Sequence, residues 1–258
     1  MDSSILVVGN EILDGTVREE NASWLAGRLS ALGFRVRRIG VVGDGIEEIG
    51  EGLDWVLRGS PLVFVCGGLG GTPDDRTREA VARKLGLRLV QHPEARRELE
   101  EKLERLRSRG VTLGGEEWLF RMSLVPEGGE ILRNRLGLAP GIRLRCGGST
   151  LFLLPGVPVE LKMIFAEEVE PLLGRGERRE VAELTLGAEE TRFSGLVEEL
   201  ERDHPGIAVG MYPLFGKLQV RIRIVGRGEE VRRASERLRR EAERSGVPVL
   251  SERSFTLG

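Results

Sequence analysis

The residues best equipped for chemistry lie in one string, Gly67-Gly-Leu-Gly-Gly-Thr-Pro-Asp-Asp-Arg-Thr77. It leaves a short continuous apolar run, Leu62–Cys66, and enters a stretch of helical periodicity that stops at Gly86. Glycines at a strand end let backbone amides approach an anion, and the following helix N-terminus adds partial positive charge. Asp74 and Asp75 bring carboxylates to the same turn, which makes sense if a divalent cation bridges carboxylate and phosphate oxygens. The competing explanation is that Asp74, Asp75 or Thr77 merely caps the next helix. Two familiar phosphate motifs are excluded. The string has no Gly-Lys-Ser/Thr, and Pro73 stands where a dinucleotide fingerprint needs its third glycine.

Two further acid-bearing turns follow apolar runs. Gly9-Asn-Glu-Ile-Leu-Asp-Gly15, with Asn21 beyond it, offers Asn10 and Glu11 to a ribose, a pterin edge or a water. Val42-Gly-Asp44 supplies a third acid, with a helix cap as its alternative role. A fourth pair of turns, Asn134–Gly141 and Leu154-Pro-Gly-Val-Pro-Val-Glu160, is built from Gly and Pro and can shape a pocket rim. There Glu160 reads either as a pocket acid or as a first-turn helix charge.

Positioning these turns requires strands that alternate with helices. Ile5–Val8 and Leu62–Cys66 read as buried strands and Phe34–Val42 as strand-like, separated by helical stripes over 21–32 and from Ile46 to Val56. That order predicts a mostly parallel sheet covered on both faces, a three-layer α/β/α domain. Residues 93–109 predict a charged helix with Glu98–Lys102 and Glu101–Arg105 pairs and no chemistry. A helix over Val159–Leu173 follows the last clear core strand, Leu151–Leu154. Beyond Gly174-Arg-Gly176 the pattern becomes strand, helix, strand, strand, helix, with a final strand at Val247–Leu250. That is a small α+β unit of split β-α-β (ferredoxin-like or KH-like) type. The expected domains are therefore 1–175 and 176–258. Arg221 and Arg223 fall on the wet face of one late strand, where a solvated face is expected because no aromatics interleave for base stacking.

Bulk properties narrow the class. The 258 residues are 31% charged and 40% hydrophobic with a formal net charge of −2, giving no global drive toward nucleic acid or anionic membrane. Two cysteines, Cys66 and Cys146, and two histidines rule out a disulfide framework and a multi-histidine metal site. No long apolar span and no signal-like N-terminus are present, so a cytoplasmic protein without membrane or nucleic-acid partners is expected.

Taken together, Gly9-Asn-Glu-Ile-Leu with Asn21, Gly67-Gly-Leu-Gly with Thr72–Thr77, Asn134, Gly137, Ala139-Pro-Gly141 and Leu154–Pro158 with Glu160 resemble the CinA family, whose N-terminal domain has the molybdopterin-binding (MogA/MoeA-like) fold. The resemblance covers residues 4 to about 173, with weaker similarity in the tail. It implies Mg²⁺-dependent handling of a phosphorylated nucleotide or pterin, with Co²⁺ as another candidate cation, and self-association as a dimer or trimer. By position it places metal binding and catalysis on Asp44 and Asp75, with Glu11 beside them. Ligand contact is implied for Gly9, Asn10, Asn21, Gly67, Gly68, Gly70, Thr72, Asp74, Thr77, Asn134, Gly137, Pro155, Gly156 and Glu160. Gly71 stands where the family usually has proline, which predicts a more mobile loop, and Leu138 replaces a common threonine. Nothing before Gly258 resembles the amidohydrolase domain of long CinA proteins, so deamidation of nicotinamide mononucleotide is not implied.

The expected activity is hydrolysis of a nucleoside-diphosphate sugar such as ADP-ribose, with Glu11 or Glu160 orienting the water. Pterin binding in molybdenum cofactor assembly is the alternative, and a non-catalytic binding module the third.

Overall fold

The computed structural model describes residues 1–111, 113–174, 176 and 178–257. The chain forms two compact units, Met1–Ser30 with Phe34–Gly174, and Ala31–Gly33 with Arg175–Gly258. The boundary expected from sequence, 175/176, falls beside Arg175 and Glu177, which lie outside the described residues.

The first unit runs β1 (Asp2–Val8), α1 (Asn10–Leu13), α2 (Asn21–Ala31), β2 (Arg35–Val42), α3 (Ile46–Leu57), β3 (Leu62–Cys66) and α4 (Thr77–Leu85). It continues with β4 (Leu89–Gln91), α5 (Pro93–Ser108), α6 (Glu116–Phe120), β5 (Leu124–Pro126), β6 (Glu130–Leu132), β7 (Gly141–Cys146) and β8 (Ser149–Leu154). It closes with α7 (Pro158–Ile164), a π-helical turn at Phe165–Val169 and α8 (Glu170–Leu173). The six-stranded sheet has the order β2-β1-β3-β8-β7-β6. Its first four strands are mutually parallel, β7 runs against β8, and β6 runs against β7, so only β7 opposes the rest and the sheet is mostly parallel.

Burial on both faces explains the unbroken apolar runs. Leu6, Val63, Val65, Leu151 and Leu153 pack with Ile49, Leu53 and Val81 from α3 and α4. On the other face Phe64 stacks on Phe152 at 5.2 Å, and Phe165 lies 5.9 Å from Phe64 and 5.5 Å from Trp24 of α2. The parallel register aligns Val8 with Val42, Val7 with Cys66, and Cys66 with Leu154. Four strands therefore end on one edge, and the turns that follow them are brought together there.

The second unit contains β9 (Arg179–Leu186), a 3-10 turn at Glu190–Phe193, α9 (Ser194–Asp203), β10 (Ala208–Pro213), β11 (Val220–Gly226), α10 (Gly228–Arg244) and β12 (Val249–Leu257). Its antiparallel sheet has the order β10-β11-β9-β12, the split β-α-β arrangement expected. Leu184, Leu186, Ile222 and Ile224 pack against Val197, Leu200, Ala234 and Leu238 of the two helices.

The last strand differs from the expected Val247–Leu250: it starts later and runs to Leu257. It carries charged residues, which an apolar pattern search passes over. On the sheet face away from the helices, Glu183 pairs with Arg253 (Nε–Oε2 2.6 Å) and with Arg223 (3.5 Å). Tyr212 opposite Arg221 and Phe255 opposite Val181 also lie on that face, so aromatics flank it after all.

Candidate active site

Each turn at the shared edge is fixed by bonds that its sequence supplies. The Gly9 amide donates to the Val42 carbonyl at 3.1 Å, holding the start of the first turn against β2. The Asn10 amide then donates to Asp44 Oδ2 at 3.1 Å, and the Asp44 amide donates to Asn10 Oδ1 at 3.4 Å. Asp44 is thus no helix cap. The α3 cap is Gly45, and Glu48 takes the Gly43 amide at 3.1 Å.

The glycine loop is organised around Asp75. Its Oδ1 accepts from the Gly70 amide at 2.8 Å, and its Oδ2 from the Thr72 amide at 2.9 Å and hydroxyl at 2.5 Å. This is a carboxylate-centred turn, and α4 has no side-chain cap. Gly67 and Gly68 have positive φ, at 104° and 65°. A Cβ there would strike the Val8 carbonyl and the Thr77 hydroxyl, so only glycine fits. The Gly67 amide is used by Leu154 O at 3.0 Å. Among the described residues, the Gly68 and Leu69 amides have no protein acceptor.

Gly71 also has a packing role. A Cβ at 71 would meet the Trp118 carbonyl, so the glycine permits close packing on α6.

Two cations whose bracing role pattern reading missed, one buried and one half-buried, brace these turns. Arg78, 4% exposed, donates to the Leu69 and Gly70 carbonyls. Burial pushes its guanidinium down to about 10, against the attraction of Asp75, so it remains charged. Lys102 of α5 donates to the carbonyls of Asn134 at 2.6 Å and Gly137 at 2.9 Å instead of forming the expected pair with Glu98, which binds Arg133 at 3.1 Å. Burial lowers the Lys102 pKa. Arg105 likewise donates to the Glu101 carbonyl rather than its carboxylate. Neither Arg78 nor Lys102 carries a sequence signal beyond being a cation on an amphipathic helix.

A cleft of about 530 Å³ opens among these turns. Of the residues expected to bind or react, Glu11, Asn21, Asp44, Gly67, Gly68, Gly70, Asp74, Asp75, Pro155, Gly156 and Glu160 line it. Gly9, Asn10, Thr72, Thr77, Asn134 and Gly137 do not; Thr77 and Asn134 are buried behind the wall, whereas Asn10 and Thr72 are exposed beside it. Thr77 is fully buried and donates to the Gly67 carbonyl at 2.8 Å. Asn134, 1% exposed, donates to Ala139 O and to Glu160 Oε2, both at 2.7 Å, and accepts from the Leu136 and Gly137 amides. Glu160 is therefore both a first-turn residue of α7 and a wall carboxylate. Leu138, in place of a threonine, also lines the cleft.

The electrostatics are one-sided. Seven carboxylates line the cleft (Glu11, Glu19, Glu20, Asp44, Asp74, Asp75 and Glu160) against one cation, Arg18. The sequence motifs pointed to neither Arg18 nor the two glutamates before Asn21. The Asp44 carboxyl is raised above the ordinary aspartate range, first by burial and then by repulsion from Glu11, Asp74 and Asp75, with the Asn10 amide opposing. Among the described residues no three His, Cys, Asp or Glu side chains are arranged to enclose a metal ion. No helix is long and apolar enough to cross a membrane among them.

This edge of a mostly parallel sheet, with its glycine turn and facing acid turn, is that of a ligand-binding α/β domain. The family described as probable molybdopterin binding domain matches residues 4–175, and the chain belongs to it. A protein of Aeropyrum pernix is 36% identical over 264 residues, which cover 97% of each chain. A CinA-like protein of Geobacter metallireducens is 36% identical over 234 residues, 89% of this chain and 55% of that one, so the chain spans about half its length. The solved structure of CinA from Thermoplasma acidophilum, described as of unknown function, superposes with a TM-score of 0.59. It is 31% identical, covering 67% of this chain and 98% of that one. Within the family the chain is CinA-like.

Proposed function

We propose that this cleft hydrolyses the phosphoanhydride of ADP-ribose or a similar nucleoside-diphosphate sugar, with Mg²⁺ or Co²⁺ held by Asp44 and Asp75. The observation that carries the reading is the charge of the cleft, seven carboxylates to one arginine beside a glycine turn with free amides. A diphosphate entering such a site is repelled unless a cation accompanies it. The donor set fits a hard, oxygen-preferring cation. Asp44 spends one oxygen on the Asn10 amide, and Asp75 keeps a lone pair on Oδ1. The ligand's phosphate oxygens and water would supply the remaining oxygen donors.

A bound cation supplies charge neutralisation and acidifies a water. The chain supplies the rest. The Gly68 and Leu69 amides hold a phosphate oxygen, and Arg18 screens a second. Glu11, an exposed carboxylate on the cleft wall, takes the proton of the attacking water. Glu160 is held by Asn134 and shapes the wall. A new water O–P bond forms, the bridging P–O bond breaks, and AMP and ribose 5-phosphate leave. The test is release of AMP from ADP-ribose with Mg²⁺ or Co²⁺. Turnover by the native chain that collapses in Asp75→Asn supports the reading; no turnover with either ion, or equal turnover by the variant, defeats it.

Family membership favours a second reading, binding of molybdopterin without hydrolysis. Carboxylates suit the N–H groups of a pterin ring as well as a cation. Rescue of cofactor synthesis in a deficient cell, with no AMP release, would select it. Self-association as a dimer or trimer belongs to either reading and is measured by light scattering.

A further inference from the structure

Asn21 opens α2 and is 7% exposed. Its Nδ2 donates to the Gly156 carbonyl at 2.7 Å. That bond fixes the amide's orientation, because a flipped amide would set two carbonyl oxygens against each other. The other end, Oδ1, is then left as a buried acceptor without a hydrogen-bond partner. Buried acceptors are nearly always satisfied; this orphan sits just beneath the cleft wall, shielded from solvent, so a donor from outside the protein reaches it with a small shift of Asn21 or the Gly156 turn. On one side of Asn21 the wall is formed by Gly156, Val157 and Pro158, which carry no formal charge and suit the face of a planar ring; Arg18, Glu19 and Glu20 lie on the other.

We infer that Asn21 Oδ1 reads an amino group on the ligand's heterocycle, so that the cleft takes an amino-substituted ring and refuses the oxo-substituted counterpart. An amine satisfies the orphan. An oxo group in its place sets carbonyl against carbonyl in a site screened from water, where nothing compensates. Adenine and pterin rings share this chemistry. The inference rests on the reading of the cleft as a nucleotide or pterin site, and not on hydrolysis.

The experiment is calorimetric titration of the full chain, in Mg²⁺, with two pairs that differ by amine against oxo. The pairs are ADP-ribose with its hypoxanthine counterpart, and pterin with lumazine. The native chain should prefer the amino member of at least one pair by about tenfold or more, and the pair that discriminates identifies the ring. Asn21→Leu should abolish the preference. Asn21→Ser, whose hydroxyl donates or accepts, should bind both members alike, with thermal melting confirming that both variants fold. Equal binding within both pairs by the native chain, no binding of any of the four, or a preference that survives in Asn21→Leu overturns the inference. Lost AMP release with the preference intact defeats the hydrolytic reading alone.

Discussion

Asn10 and Asp44 clasp each other across the sheet edge, each amide donating to the other's side-chain oxygen at 3.1 and 3.4 Å. The clasp places an acid from the β2 turn beside the turn after β1, opposite the Asp75-centred glycine loop. It holds a carboxylate where burial, and then the neighbouring carboxylates Glu11, Asp74 and Asp75, oppose its charge and raise the Asp44 pKa.

That strain has a measurable sign. With a folded pKa above its ordinary value, Asp44 favours the fold when protonated. This contribution is fully present below the ordinary aspartate range and is lost as pH rises through the raised value. At neutral pH without divalent cations, Asp44→Asn should therefore raise Tm, by about 1–2 °C, while weakening cation binding. Cation affinity of the native chain should begin to fall at a higher pH than an ordinary aspartate would give. Calorimetric melts of both proteins at pH 7, and cation titrations from pH 7 to pH 4, check this.

Lys102 ties α5 to the carbonyls of Asn134 and Gly137 behind Glu160. Lys102→Met keeps the aliphatic stem and removes both donors. It should cost about 1–3 kcal/mol of stability, since two carbonyls lose partners, and denaturant melts measure it. Replacing a solvated lysine such as Lys217 on the β10–β11 turn should cost almost nothing.

Gly137 packs its Cα against the Glu160 carboxylate, where a methyl group would overlap it. Gly137→Ala should displace Glu160 from Asn134 at a cost of about 1–3 kcal/mol and lower ligand affinity. A crystal structure of the variant with Glu160 unmoved would contradict this account of the glycine.

The edge turns were largely legible in the sequence, because a short apolar run followed by Gly and an acid is a strong local signal. Leu62–Cys66 with Gly67, and Ile5–Val8 with Gly9, are examples, and the parallel order followed from strand–helix alternation. The braces were not legible. Arg78 and Lys102 look like solvated cations until tertiary packing carries them inward onto loop carbonyls. β12 was mislaid for a related reason: Ser251–Arg253 is polar, and only cross-strand pairing with β9 makes it a strand. The roles of Thr77 and Asn134 also changed, since a polar residue beside a loop can touch a ligand or hold the loop, and sequence does not separate the two.

Gly71 offers a test of a departure from the CinA pattern. Its approach to the Trp118 carbonyl leaves no room for a ring. Gly71→Pro, the residue usual in the family, should lower Tm by several degrees, roughly the effect of 1–3 kcal/mol of overpacking. Pairing it with deletion of the Trp118 contact through a shortened α6 should recover part of the loss.

The most direct measurement is the affinity of the native chain for ADP-ribose by calorimetry, with Mg²⁺ and again with chelator. A cleft whose carboxylates must be bridged to phosphate should bind about tenfold or more tightly with the cation, and Asp44→Asn should erase most of that gain. Equal affinity with and without the cation, in a chain that does bind ADP-ribose, would contradict the proposal that a metal joins Asp44 and Asp75 to the ligand.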